Sequence, residues 1–147
     1  MSIDIETISK EQADLVTFMA EGQYSEVKAT AIAPGRLTAT IAAFANSDGG
    51  DLYIGIGEMH LGGGSKKRVW AGFPDVEAAN GHLQSFERLF PLGTDFQYEF
   101  LKCEKRQGLV LHAQVNRVQM VMKAVDRLPY IRRGAQNLPV NTAEALR

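Results

Sequence analysis

The chain has 147 residues, 45% of them hydrophobic and 22% charged, with a formal net charge of −1. That is long enough to bury a core within one domain, and the ordinary apolar content argues for a globular chain rather than a disordered one. The single cysteine, Cys103, excludes an internal disulfide and a cysteine-based zinc cluster, and points to a reducing, cytosolic setting.

No apolar run approaches the length needed to span a bilayer, and residues 1–6 lack a basic-then-apolar signal pattern. The charge is unevenly spread. Residues 1–64 hold 3 Lys/Arg against 9 Asp/Glu, a balance of −6, whereas residues 65–147 hold 13 against 8, a balance of +5. Such asymmetry fits an acidic site in one part and an anion-attracting surface in another, or simply a solvated surface of mixed charge.

Taken in order, Ser9-Lys10-Glu11-Gln12 has the Ser-x-x-Gln form of a capping box. It predicts a helix over residues 10–20 with Leu15, Phe18 and Met19 turned inward, ended by Glu21-Gly22. Residues 24–29 read as a short strand with Glu26 and Lys28 on one face and Val27 on the other. Ala33-Pro34-Gly35 is a turn, and a central helix follows from about Arg36. Its Leu37, Ile41, Phe44 and Ala45 recur at helical spacing. Asn46-Ser47-Asp48-Gly49-Gly50 stops that helix, since Asn and Gly accept left-handed backbone. Residues 52–56 are then a run of strand formers too apolar to leave one face in water.

Residues 59–67 form a glycine-rich loop. Gly62-Gly63-Gly64-Ser65-Lys66-Lys67 fails the spacing of a phosphate loop and reads as a hairpin tip whose lysines can still meet phosphate. Residues 69–73 predict a short strand, and residues 76–90 a helix with Ala79, Leu83, Phe86 and Phe90 inward. Residues 96–103 and 109–115 predict an antiparallel hairpin turned by Lys105-Arg106-Gln107-Gly108. A second pair is expected from residues 120–124 and 130–133, turned by Asp126-Arg127. Residues 134–141 read as irregular. Residues 142–147 begin a final helix without a stop, which fits a truncation point.

Four motifs carry a resemblance to a known family. They are Glu21-Gly22-Gln23-Tyr24-Ser25-Glu26-Val27-Lys28, Ala43-Phe44-Ala45-Asn46-Ser47-Asp48-Gly49-Gly50 with the strand after it, Val69-Trp70-Ala71-Gly72, and Pro129-Tyr130-Ile131-Arg132-Arg133-Gly134. In this order they resemble the Glu-x4-Glu-Phe-Lys, Ala-Phe-Ala-Asn-Thr-x-Gly-Gly, Val-x-Gly and Tyr-x-Arg-x-Gly elements of the Alba-like (AlbA_2) DNA-binding domain of Schlafen proteins and many bacterial regulators. The resemblance implies a single α/β (α+β) domain over residues 1–147, with its core at about 9–134. A mixed, largely antiparallel sheet would be flanked by helices.

In Schlafen members that cut RNA, the resemblance implies a metal site of three carboxylates, which fall here on Glu21, Glu26 and Glu58. Gly57-Glu58 stands where the family often has two aspartates. Mg2+ or Mn2+ suits such an oxygen donor set and can activate water against a phosphodiester. Lys28 would neutralise the developing phosphate charge. Taken singly, each glutamate reads as an ordinary surface residue.

Lys66, Lys67 and Arg68 at the loop, with Arg132 and Arg133 at the last strand, are candidate phosphate contacts. Tyr130 and Trp70 suit either stacking on unpaired bases or packing at a core edge. His60, His82 and His112 are too scattered for a triad, and Cys103 has no neighbouring His to activate it. Three functions follow. One is a metal-dependent endoribonuclease cutting structured RNA. The second is a DNA- or RNA-binding regulatory module without chemistry. The third is an assembly domain that forms a homodimer.

Overall fold

The computed structural model describes residues 3–140. Its centre is the helix–turn–strand stretch in which Leu37, Ile41, Phe44, Ala45, Leu52 and Ile54 are all buried. Pro34 opens the helix at a position where its missing N–H costs nothing, and Asn46 is its last residue. Gly49 turns the chain at φ +81°, and Gly50 lies so close beneath the Phe44 ring that a Cβ there would overlap it.

The elements run β1 (Ile5–Ile8), α1 (Lys10–Thr17), β2 (Ser25–Lys28), α2 (Pro34–Asn46), β3 (Gly50–Ile54), β4 (Ile56–Gly62) and β5 (Ser65–Trp70). A 3-10 turn (Glu77–Ala79) then leads into α3 (Asn80–Leu89), β6 (Phe96–Cys103), β7 (Leu109–Val115), β8 (Tyr130–Arg133) and β9 (Gln136–Pro139). Five strands form one mixed sheet in the order β1-β6-β7-β3-β2. Its three inner strands are antiparallel, and each outer strand is parallel to its neighbour. The pairs β4–β5 and β8–β9 are separate antiparallel hairpins. A mixed, largely antiparallel sheet with helices is therefore the fold, as the family resemblance implies.

Period-two alternation sends side chains to two layers. Leu52, Ile54, Phe96, Tyr98, Phe100, Leu111 and Ala113 face α2 and α3 in the larger core. Val27, Leu101 and Val110 face the other way, where Val16 of α1 and Ile56 of β4 cover them.

Several expectations change. The capping box forms, with Ser9 and Gln12 bonded reciprocally. However, α1 ends at Thr17 and buries Ala13, Val16 and Thr17. Leu15 is 72% exposed and Phe18 56% exposed, and only Met19 packs inward as expected. The small residues allow α1 to lie close to the sheet, and the buried Thr17 hydroxyl is satisfied by Ala13 O at 2.7 Å. The apolar run 52–56 is broken at Gly55, where φ is +133°. Ile56 therefore starts a hairpin and does not end the central strand. The glycine-rich loop is shorter than expected, since β4 and β5 extend to Gly62 and Ser65.

Residues 120–124 form no strand. Tyr130–Arg133 pairs with Gln136–Pro139, in the stretch expected to be irregular. The expected turn at Asp126-Arg127 is present, with Arg127 at φ +68°. The expected helix over 142–147 lies outside the described residues. Among the described residues, no helix is long and apolar enough to cross a membrane.

Candidate functional site

Glu26 lies on β2 and is 4% exposed. A carboxylate buried that far needs a charge or hydrogen-bond partner. Its Oε2 accepts from Thr40 Oγ1 of α2 at 2.8 Å, and its Oε1 stands 3.4 Å from Arg132 Nη1 of β8. Asn137 of β9 closes the ring. Its Nδ2 donates to Thr40 Oγ1, and its Oδ1 accepts from Arg132 Nη1, both at 2.8 Å.

Arg132 uses all five of its side-chain N–H donors inside the protein. Nε and Nη2 reach Gly22 O at 3.0 and 2.8 Å, and Nη2 also reaches Ser25 O at 3.1 Å. The two Nη1 contacts are those to Glu26 and Asn137. Its guanidinium also sits 4.9 Å from the centre of the Phe44 ring. Asn46 works beside it. Its Nδ2 donates to Met122 O and Tyr130 O, and its Oδ1 accepts from Met122 N. Three of the four sequence motifs thus meet in one buried network that ties the last hairpin to β2 and α2.

The other expected metal-site carboxylates lie elsewhere. Glu21 pairs with Arg68 at 3.8 Å. Glu58 is on β4, opposite Arg68 in register and 3.8 Å from Lys66. Arg68 therefore neighbours both of these glutamates, and a side-chain cation takes the ground that a shared divalent ion would need. Glu26 faces α2 on the far side of its strand from Val27, with Lys28 at 3.9 Å. Among the described residues, no three His, Cys, Asp or Glu side chains are grouped to hold a metal. The oxygen donors suit Mg2+ or Mn2+, but their placement does not gather them around one ion.

The expected phosphate contacts separate in the same way. Arg132 is internal, and Arg68 is held by Met19 O as well as Glu21. Lys66, Lys67 and Arg133 are exposed. Tyr130 donates its hydroxyl to Asp126, and the Asp126 hydrogen bond holds its pKa up at about 12. Trp70 is half-buried, and its Nε1 donates to Gly108 O at 3.2 Å, which anchors the edge of the indole. Both aromatics are thus tethered at a polar edge.

A cleft of about 430 Å³ lies between α1 and β5, and its lining includes Lys10, Phe18, Lys67, Arg68, Trp70 and Arg106. Arg106 is braced by Asp14 at 2.5 Å. Lys10, Phe18 and Arg106 were not among the expected site residues. Lys10 lies in the acidic half of the sequence, and Phe18 reads as core by its size. The turn that carries Arg106 is brought beside α1 only by the sheet.

The sheet also carries a titrating cluster. His112 stacks on Tyr53 at 4.4 Å, and each of its ring nitrogens is 2.7 Å from a carboxylate, Asp51 Oδ1 or Glu99 Oε2. Burial pulls its pKa down, but hydrogen bonds to Asp51 and Glu99 outweigh this, and the net pKa lies above the ordinary histidine value. Glu6 of β1 also faces the cluster, and its own pKa is raised by hydrogen bonding to Glu99. A raised folded pKa stabilises the fold fully below the unfolded value of about 6.5, and that contribution is lost as pH rises through the folded value. Denaturant titrations across this window are expected to show stability falling with pH, and His112→Gln should flatten that slope. An unchanged slope in the variant would assign the dependence to another group.

The family model for Schlafen, AlbA_2 matches residues 21–141. No curated protein matches the chain. Among solved structures, the chain is similar to the N-terminal domain of an ATP-dependent DNA helicase RecG-related protein from Nitrosomonas europaea. That match has 18% identity and a TM-score of 0.60, and covers 84% of this chain and 86% of that one. It is also similar to the DIP2311 protein of Corynebacterium diphtheriae, at 17% identity and a TM-score of 0.57. Here 91% of this chain but only 30% of that one is covered. At these identities the structural likeness speaks for the fold alone.

Proposed function

Because the chain belongs to the Schlafen AlbA_2 family, we propose that it binds nucleic acid through the cationic surface around β5, without cutting it. The observation that carries this reading is the gathering of Lys10, Lys67, Arg68 and Arg106 along one cleft in a chain whose net charge is −1. Basic side chains concentrated on one surface are the electrostatic footprint of phosphate binding. Lys66 lies on the same hairpin, and its exposed pair with Glu58 is weak enough to yield to phosphate. The DNA helicase relationship of the Nitrosomonas europaea protein is in keeping with such a role.

Affinity for a nucleic acid should fall steeply with salt, since phosphate contacts release counterions. Lys67→Ala is expected to weaken binding for all sequences alike and to reduce the slope of log affinity against log salt by about 1. An unchanged slope would remove Lys67 from the interface.

The cleaving alternative needs Glu21, Glu26 and Glu58 on one ion, and the pairing of each with a side-chain cation counts against it. Incubation with structured RNA and Mn2+ should leave the RNA intact. Cleavage that disappears in Glu26→Ala, with the variant still folded, would restore the endoribonuclease reading.

A further inference from the structure

We propose that the cleft between α1 and β5 takes an unpaired stretch of nucleic acid, with a base stacked on Phe18. The inference rests on the nucleic-acid-binding reading above and adds the form of nucleic acid that is recognised. Lys10 and Phe18 precede the stretch that the family likeness covers, so this half of the cleft is a feature read from this chain.

The first support is Phe18 itself. It is the C-cap residue of α1, more than half exposed, and it lines the cleft. A large ring left in water at the end of a helix that buries alanine, valine and threonine instead is unusual as packing. It is well suited as a platform for a base. The second is the arrangement of charge. Arg68 and Arg106 are braced by Glu21 and Asp14. Lys10 and Lys67 stand on opposite walls with no ion-pair partner among the described residues. Two free cations flanking an aromatic ring match a strand in which phosphates and bases alternate.

The third is shape. A volume of about 430 Å³ falls within the ~300–1,000 Å³ range of sites that enclose a small group. A duplex keeps its base faces stacked inside and presents only phosphates and groove edges, so a ring inside a concave cleft gains nothing from it. An unpaired strand can turn a base into the cleft. Stacking of this kind tolerates any base.

The test uses the full chain with fluorescently labelled oligothymidine and a thymidine–adenosine duplex of equal length, followed by anisotropy. Oligothymidine should bind more tightly than the duplex. Phe18→Ala should weaken oligothymidine binding about tenfold and leave duplex binding unchanged. Phe18→Trp should retain it. Leu15→Ala, on the same helix and outside the cleft, should bind as the parent does. Equal affinity for both probes, or no effect of Phe18→Ala on oligothymidine, overturns the inference and leaves the basic surface standing. Failure of the parent to bind either probe overturns both.

Discussion

Arg132→Ala is expected to destabilise the protein by ~3–5 kcal/mol, the range for breaking a buried ion pair from one side. A domain of this size has about 5–15 kcal/mol in hand, so the variant should sit near its unfolding transition at moderate temperature. The cause is Glu26. Without Arg132 its carboxylate keeps Thr40 and the distant Lys28, but loses its nearest positive charge in a site closed to water. Gly22 O and Ser25 O also lose their side-chain donor.

Urea denaturation of Arg132→Ala, Glu26→Gln and the double variant would form a cycle. The double variant should be less destabilised than the sum of the two single variants, because removing both charges leaves neither stranded. Arg132→Lys should rescue poorly, since one ammonium cannot reach four acceptors in a plane. If Arg132→Ala instead kept full stability and lost only nucleic-acid affinity, the residue would be a phosphate contact and the internal network would be irrelevant.

Gly108→Ala is expected to cost ~2–3 kcal/mol or more, from left-handed strain and overlap together. Gly108 has φ +95°, and a Cβ there would overlap Ala71 O and stand 2.9 Å from Gly72 Cα. Gly72 has φ +68° and would meet the backbone of Gly108 and Leu109 in return. The two glycines let the turn between β6 and β7 lie directly against the chain leaving β5. Phe73 and Leu109 then exchange backbone hydrogen bonds at 2.7 and 2.8 Å.

That junction also sets the distance between Trp70 and the turn carrying Arg106, so the variant should lose nucleic-acid affinity along with stability. Gly63→Ala separates the two causes. Its φ is +59° with open space around it, so only the backbone term of ~1–2 kcal/mol applies. Thermal melts of the two variants should therefore differ. Equal losses would show that crowding at Gly108 relaxes freely.

The parts of the fold that announce themselves in sequence are those whose own periodicity decides their structure. Ala79, Leu83, Phe86 and Phe90 mark the third helix, and all four are buried. The hairpin of residues 96–103 and 109–115 has the bounds read from its alternation. The parts that stay hidden depend on a partner. Ile5–Ile8 is too short to declare itself and is a strand because β6 offers it a parallel edge. Gln136–Pro139 has poor strand formers and is ordered by Arg132, Thr40 and the facing strand. Leu15 and Phe18 mislead because size is not orientation, and close approach of α1 favours its smaller face.

The candidate site is mixed in the same manner. The motifs are legible as a set, and residues from three of them meet in one network, but the expected metal-site carboxylates and phosphate contacts do not come together. Sequence cannot distinguish a glutamate that awaits a metal from one that holds an arginine 106 positions away. It also gives no sign that Lys10 and Arg106 share a wall, since sheet order alone brings them together.

The late position of Arg132 bears on how the protein is made. Glu26 leaves the ribosome early, whereas the guanidinium that neutralises it emerges more than a hundred residues later. Until then the nascent chain can assemble helices and hairpins but cannot seal β2 against α2 without a stranded charge. Final locking therefore waits for Arg132 to emerge, and a ribosome stalled before Arg132 should display a protease-sensitive chain, whereas one stalled long enough after it to expose Arg132 should display a resistant one.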